Sequence, residues 1–282
     1  MKKVLKWVGI ILALIAVTAG TLFMLYVRPF MKAMEQTTTV QYDKNLTLII
    51  GGGGNSGILV SDSIVLVIDT KMSDAAIMLH DKVKQLAGAK PIVVVNTHFH
   101  SDHTKGNKFY MGQTIIAGGN YTTESWIKQS GKEGVPTIWL KDRMDIKMGD
   151  DTATIINLGK NIHTESDIVV YLHRRKMLFA GDVILNKQAP ALFGNADPDG
   201  YLDAFNWLQK NLDIQKVVPG HGEVGGIEVL ENFRQYFIDM KLAASDDSKK
   251  SELEEKYKDW RHMPIVMSTG STIRAFKNKQ KN

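Results

Sequence analysis

The chain has 282 residues, of which 44% are hydrophobic and 23% charged, so it has enough apolar material for one large folded domain. It has no cysteine, which excludes disulfides and thiolate metal ligands. Its net charge of +5 comes from residues 1–32 and 271–282, which contain no acidic residue, and this distribution argues against a nucleic-acid-binding face.

The first predicted element is an apolar helix over Trp7–Val27, a segment without any charged residue. Such a helix is about 30 Å long, which is the thickness of a bilayer core. Three lysines precede it, which favours a cytoplasmic N-terminus and an extracytoplasmic main domain. A cleaved signal peptide, leaving a secreted or periplasmic protein, is the alternative, because Val17-x-Ala19 can serve as a cleavage site. Residues 1–30 are therefore predicted to be a single-pass membrane anchor or a signal peptide.

The rest of the chain alternates between strand and helix patterns. Short β-rich segments predict strands at 46–50, 57–60, 64–68, 91–96, 114–117, 146–148, 152–158, 168–172, 177–180 and 216–218. Periodic apolar positions predict helices at 73–86, 120–129, 202–212, 230–244 and 251–260. Because the alternation occurs in two halves, we expect an α/β fold with two sheets and helices outside, a four-layer αβ/βα sandwich.

Three further segments complete the predicted organisation. We expect a linker at 31–39, the main domain at 40–243, and a helical extension with a basic tail at 244–282. The end of that tail, beyond Thr272, is expected to be loose.

The motif that carries chemistry is Asn96–His103, which follows a predicted buried strand. Four potential metal ligands lie within its last six residues: His98, His100, Asp102 and His103. Three more candidates lie in turns that border other predicted strands: His163, Asp182 and His221. A single histidine among these could be a buried residue that makes one hydrogen bond and binds no metal. This interpretation does not account for all five histidines together. Imidazole and carboxylate ligands suit zinc, with iron or manganese also possible.

These motifs, in this order, resemble the metallo-β-lactamase superfamily over roughly residues 40–243, and Ile68-Asp69-Thr70 matches its early Asp motif. The resemblance implies two zinc ions and the metallo-β-lactamase fold. It assigns the first ion to His98, His100 and His163, the second to Asp102, His103 and His221, and a bridge between them to Asp182. Asp69 is implied to support the metal loop, and Asp102 is also the implied catalytic residue that orients the attacking hydroxide.

The implied activity is that of a binuclear zinc hydrolase, in which a metal-bound hydroxide attacks an ester, thioester, lactone or amide bond of a small-molecule substrate. The aspartate at 182 resembles the thioesterase, lactonase and phosphodiesterase branches, since β-lactamases often have cysteine or serine there. A true β-lactamase remains an alternative. An iron-dependent oxidoreductase and a non-catalytic metal-binding relative are the others. The expected partners are a small-molecule substrate and the membrane, which residues 7–27 would enter. We expect no nucleic acid as a partner.

Two other features have less specific interpretations. Gly52-x-Gly54-x-x-Gly57 matches a dinucleotide fingerprint, but a predicted strand rather than a helix follows it. A hairpin turn that can rim the active site is therefore predicted. In the segment after Asp182, the side chains able to contact substrate are Lys187, Asn195 and Tyr201.

Overall fold

The computed structural model describes residues 2–194, 196–263 and 266–279. The helices are α1 (Lys2–Leu22), α2 (Arg28–Glu35), α3 (Ser73–Ala87), α4 (Ser101–Thr104), α5 (Thr123–Ser130), α6 (Pro198–Asn211), α7 (Glu228–Ser245), α8 (Lys250–Lys256) and α9 (Thr269–Lys279). The strands are β1 (Thr37–Gln41), β2 (Leu46–Gly51), β3 (Ser56–Val60), β4 (Val65–Ile68), β5 (Ile92–Val95), β6 (Thr114–Gly118), β7 (Ile138–Leu140), β8 (Arg143–Met148), β9 (Asp151–Gly159), β10 (Asp167–Leu172), β11 (Met177–Phe179) and β12 (Lys216–Val218).

Two sheets face each other, and helices cover their outer faces. The first sheet contains β1 to β7 in chain order, and the second has the order β12-β11-β10-β9-β8. Leu66 and Val95 of the first sheet share one buried apolar cluster with Val170 and Phe179 of the second. Leu79 of α3 packs on the other face of the first sheet, whereas α6 and α7 cover the second. The predicted four-layer αβ/βα sandwich is confirmed.

The described side chains of the N-terminal helix are all exposed. After α1 the chain passes through a π-helical turn, Phe23–Val27, and continues into α2. Val4–Val27 forms a 24-residue apolar stretch that is entirely unburied, and by length and composition it could cross a membrane. A signal sequence has the same properties, so the helix fits both sequence-based interpretations.

The segment expected to be a linker, 31–39, has regular structure instead. It contains the end of α2 and the start of β1, which pairs antiparallel with β2 from Thr37 opposite Gly51 to Gln41 opposite Thr47. The threonines and the valine of β1 favour a strand, and the edge of the first sheet offers free backbone groups with which β1 can pair. The antiparallel part of that sheet therefore begins before residue 40.

The segment beyond Thr272, expected to be loose, forms most of α9 and packs on α7. Ile273 and Phe276 are buried three residues apart on one face of α9. The hydroxyls of Thr272 and Tyr236 lie 2.9 Å apart in a hydrogen bond. The expectation of a loose tail is therefore wrong for residues 273–279, because this face covers the core around α7. Residues 280–282 of the predicted tail lie outside the described residues.

A buried ion cluster joins the two sheets at the end away from residues 98–103. Arg175, in the turn between β10 and β11, donates to both carboxylate oxygens of Asp43 at 2.7 and 3.0 Å. It also donates to Asp151 at the start of β9, at 2.5 Å. The side chains of Arg175 and Asp151 are 5% and 0% exposed, so the charges depend on each other for solvation.

We predict that Arg175→Met lowers the free energy of unfolding by about 3–5 kcal/mol, because it leaves a buried carboxylate without its partner. Arg174→Met is the matched control, since Arg174 pairs with Asp150 at a side-chain exposure of 46% and 64%. The control should cost less than about 1 kcal/mol. Urea unfolding of the metal-free, detergent-solubilised chain measures both values. Equal losses for the two variants would contradict a structural role of the cluster.

The same cluster predicts a pH dependence. Desolvation opposes ionisation of Asp43, but hydrogen bonds from Arg175 hold the pKa of this carboxyl below its usual value. A lowered pKa in the folded state gives stability that is present above the unfolded pKa of about 4 and is lost as the pH falls through the folded pKa. The stability difference between wild type and Arg175→Met should therefore shrink in acid.

Candidate metal centre

The seven side chains predicted as metal ligands come together at one end of the sandwich, between the two sheets. Four of them follow β5 of the first sheet, and the other three border β10, β11 and β12 of the second. Within the motif, His100 has an extended backbone and the next residue begins the single turn α4. This change of backbone conformation separates His98 and His100 from Asp102 and His103, so the motif serves two groups.

The first group consists of three converging imidazoles. His98 Nε2 lies 2.9 Å from His100 Nδ1, and His163 Nε2 lies 3.0 Å from the same atom. The carboxylate oxygen Oδ2 of Asp182 is 3.5 Å from His163 Nε2 and 4.0 Å from His98 Nε2. These four ligand atoms are close enough together to hold one metal ion.

The second group consists of Asp102, His103 and His221. Asp102 Oδ2 is 3.1 Å from His221 Nε2 and 3.7 Å from His103 Nε2. Asp182 Oδ1 is 3.2 Å from His103 Nε2 and 3.4 Å from His221 Nε2. Asp182 therefore directs one carboxylate oxygen toward each group.

Partners behind the first group orient two of its rings. Thr97 Oγ1 donates to Asp69 Oδ2 at 2.8 Å and lies 3.1 Å from His98 Nδ1, so it accepts the proton of that nitrogen. The hydroxyl of Tyr201 lies 2.9 Å from His163 Nδ1 and donates to the backbone carbonyl of Asp182. Because Nδ1 is occupied in both rings, Nε2 is left as the ligand atom.

A similar contact orients His103. Its Nδ1 is 2.7 Å from Asp69 Oδ2, and the ring is fully buried. Asp69 thus supports two histidines of the motif, one directly and one through Thr97, as the sequence led us to expect.

The unsatisfied atoms of the centre fit a metal. His103 Nε2 and Asp182 Oδ1 are buried, and neither makes a hydrogen bond. Buried polar atoms are normally paired, so two ligand atoms that face each other without a hydrogen bond fit a site for a cation. Seven nitrogen and oxygen donors also exceed the four ligands of a closed structural zinc site.

The histidine pKa values differ between the two ligand groups. Desolvation lowers the pKa of His163 to about 3, which keeps its ring neutral. Desolvation acts in the same direction on His103 and His221, but carboxylates outweigh it. Asp69 is the strongest of these for His103, whose pKa is raised, and Asp182 for His221, whose pKa rises to about 9. The second group thus attracts positive charge.

The structure changes the interpretation of the residues that follow Asp182. Tyr201, considered as a substrate contact, is fully buried behind His163, and no sequence spacing reveals this contact. Lys187 is exposed, and its backbone carbonyl accepts from Arg261 of the C-terminal extension. Asn195 lies outside the described residues. Thr97, which was not singled out as a supporting residue, adjoins His98 in the motif.

Known proteins resemble this chain in sequence and in fold. The family model of the metallo-beta-lactamase superfamily matches residues 49–221. A metallo-beta-lactamase type 2 of Bacteroides fragilis is 27% identical over 190 residues, covering 64% of this chain and 74% of the relative. An acyl-coenzyme A thioesterase of Homo sapiens is 24% identical over 189 residues, covering 57% and 67%.

Solved structures agree on the architecture. A metallo-beta-lactamase from Pontibacter korlensis superposes with a TM-score of 0.62 at 20% identity, covering 72% of this chain and 100% of the other. At this identity the likeness concerns the fold alone. The family match, however, spans more than half of the sequence, and the chain therefore belongs to the metallo-β-lactamase superfamily of hydrolytic enzymes.

Proposed function

We propose that the chain is a binuclear zinc hydrolase that cleaves an ester, thioester, lactone or amide bond. One observation carries the proposal: Asp182 directs Oδ2 to the first ligand group and Oδ1 to the second. His98, His100 and His163 would hold the first ion, Asp102, His103 and His221 the second, and Asp182 both. Zinc bound by these residues would supply a water of lowered pKa and would polarise the carbonyl oxygen of the substrate.

The protein's own residues then have separate tasks. Asp102 is the proposed catalytic residue, because its carboxylate lies in the second group and can orient the attacking water by accepting a hydrogen bond from it. The neutral ring of His163 contributes no charge that would repel a cation. Asp69, Thr97 and Tyr201 keep the ligand rings in place, which preserves the distances on which the reaction depends.

A true β-lactamase is the second candidate, and the names of relatives favour it. Besides the relative from Bacteroides fragilis, a metallo-beta-lactamase type 2 of a Bacillus strain is 30% identical over 181 residues. The thioesterase relative supports the first candidate, as does the aspartate at 182, which resembles the thioesterase and lactonase branches.

A substrate-class screen separates the two candidates. We expect the zinc-loaded, full-length chain in detergent to have its highest kcat/KM on an ester, thioester, lactone or amide without a β-lactam ring. A panel of these four classes beside penams and carbapenems measures this, with metal content determined on the same sample. Chelation should abolish activity and zinc should restore it. Highest kcat/KM on β-lactams would establish the second candidate, and one tightly held iron without zinc would exclude both.

Asp182→Ser should weaken binding of the second zinc first and reduce turnover by several orders of magnitude. Two cations a few ångströms apart repel in a shielded site, and a shared carboxylate offsets the repulsion, whereas a neutral hydroxyl does not. Zinc stoichiometry and turnover are measured together. Asp203→Ser, the same change at an exposed position of α6, is the control and should alter neither. Two zincs and near-normal turnover in Asp182→Ser would rule out the bridge.

We further propose that the apolar helix anchors the enzyme in the membrane. Residues 40–243 would then form an extracytoplasmic catalytic domain, and the extension at 244–282 covers part of it. The support is the unburied apolar stretch Val4–Val27 and the lysines that precede it. The chain has no cysteine, which is compatible with an oxidising compartment.

Protease added to intact spheroplasts of an expressing bacterium should remove the domain and spare a cytosolic marker. The mature N-terminus should be that of the uncleaved chain. A protected domain would show that the orientation is inverted, and a mature N-terminus near Gly20 would identify a cleaved signal peptide.

A further inference from the structure

The turn between β2 and β3, residues 51–55, lies across the second ligand group; we name it the glycine loop. The backbone amide of Gly54 donates to the carbonyl of Asp102 at 3.1 Å. A Cβ at Gly53 would lie 2.9 Å from Asp102, and a Cβ at Gly54 would overlap the ring of His103. Only glycine lets the backbone approach these two side chains so closely.

The other end of the glycine loop reaches the turn that carries His221. Asn55 donates from its backbone amide to the carbonyl of Gly220 at 2.8 Å. Its side-chain amide donates to the carbonyls of Pro219 and Gly222, each at 2.8 Å. The glycine loop therefore connects Asp102 and His103, which follow the first sheet, to His221, which follows the second.

A buried lysine fastens this loop. Lys71 follows β4, is 0% exposed, and donates from Nζ to the carbonyls of Gly51 and Gly54 at 2.5 and 2.6 Å. Its own carbonyl accepts from the amide of Gly106, just after the metal-binding motif. Burying an ammonium group is costly, so these contacts must be made for the lysine to be tolerated there.

We propose that Lys71 is a positioning residue for the second ligand group. Its side-chain amino group holds the glycine loop against Asp102 and His103, and through Asn55 the loop sets their distance from His221. The first group has no such contact with the glycine loop among the described residues. The inference rests on the proposed function, in which the second group holds the second zinc.

Lys71→Met keeps the length and apolar body of the side chain but removes its donors. We expect the first zinc equivalent to bind as in wild type and the second to bind about 10- to 100-fold more weakly, the range found when a residue supporting a ligand is lost. Stepwise zinc titration against a competing chelator measures both affinities on the full-length chain in detergent, with no need for substrate. Lys84→Met, at an exposed position of α3, is the matched control and should change neither affinity.

Asn55→Ala tests the same loop from its other end and should also weaken only the second zinc. It decides the question if Lys71→Met does not fold. If both variants bound each zinc as wild type does, or lost affinity for both ions equally, the inference would be overturned. The proposed function would still stand in that case, provided that wild type bound two zinc ions. If wild type bound fewer than two zinc equivalents, the proposed function and the inference would fall together.

Discussion

The carboxylate of Asp182 lies between imidazoles that come from both sheets, and each of its oxygens faces a different ligand group. This arrangement concentrates polar groups in a buried place, where unpaired charge is expensive. Close approach of the backbone makes it possible. Gly181 has a φ of 51°, and a Cβ at Gly220 would overlap Asp182 Oδ1. Gly220 is thus required by its contact with Asp182, whereas Gly181 is required by its positive φ and by its contact with Thr97.

The surroundings of the centre follow from this concentration of charge. Rings that share one small volume must keep their ligand atoms directed inward, so the Nδ1 atoms of His98, His103 and His163, which face away from the centre, each need a partner. Asp69 provides two such contacts, one of them through Thr97, and Tyr201 provides another. The orientation of these rings therefore depends on residues that lie behind the two ligand groups. The proposed role of Lys71 extends that dependence to the backbone of a neighbouring turn.

The two ends of the sandwich are joined by different means. At the end away from residues 98–103, Arg175 links carboxylates of both sheets in a buried cluster. At the end that carries the candidate centre, the glycine loop links turns that follow the two sheets. Apolar packing between the sheets is not directional, whereas these hydrogen bonds are, and they fix how the sheets are aligned.

The sequence by itself determined the layered fold and the set of candidate ligands. Strand and helix periodicity are local, and His98 to His103 are neighbours in the chain, so both could be recognised without coordinates. Local patterns were less informative at 31–39 and beyond Thr272, where pairing with β2 and packing on α7 decided the conformation.

Only the tertiary structure decided which atoms meet. The contact of Tyr201 with His163 joins residues 38 positions apart, and that of Asn55 with Pro219 joins residues 164 apart. The division of the two oxygens of Asp182 between the groups depends on side-chain orientation in the same way. No local pattern encodes such pairs, because their proximity results from how the two sheets pack together.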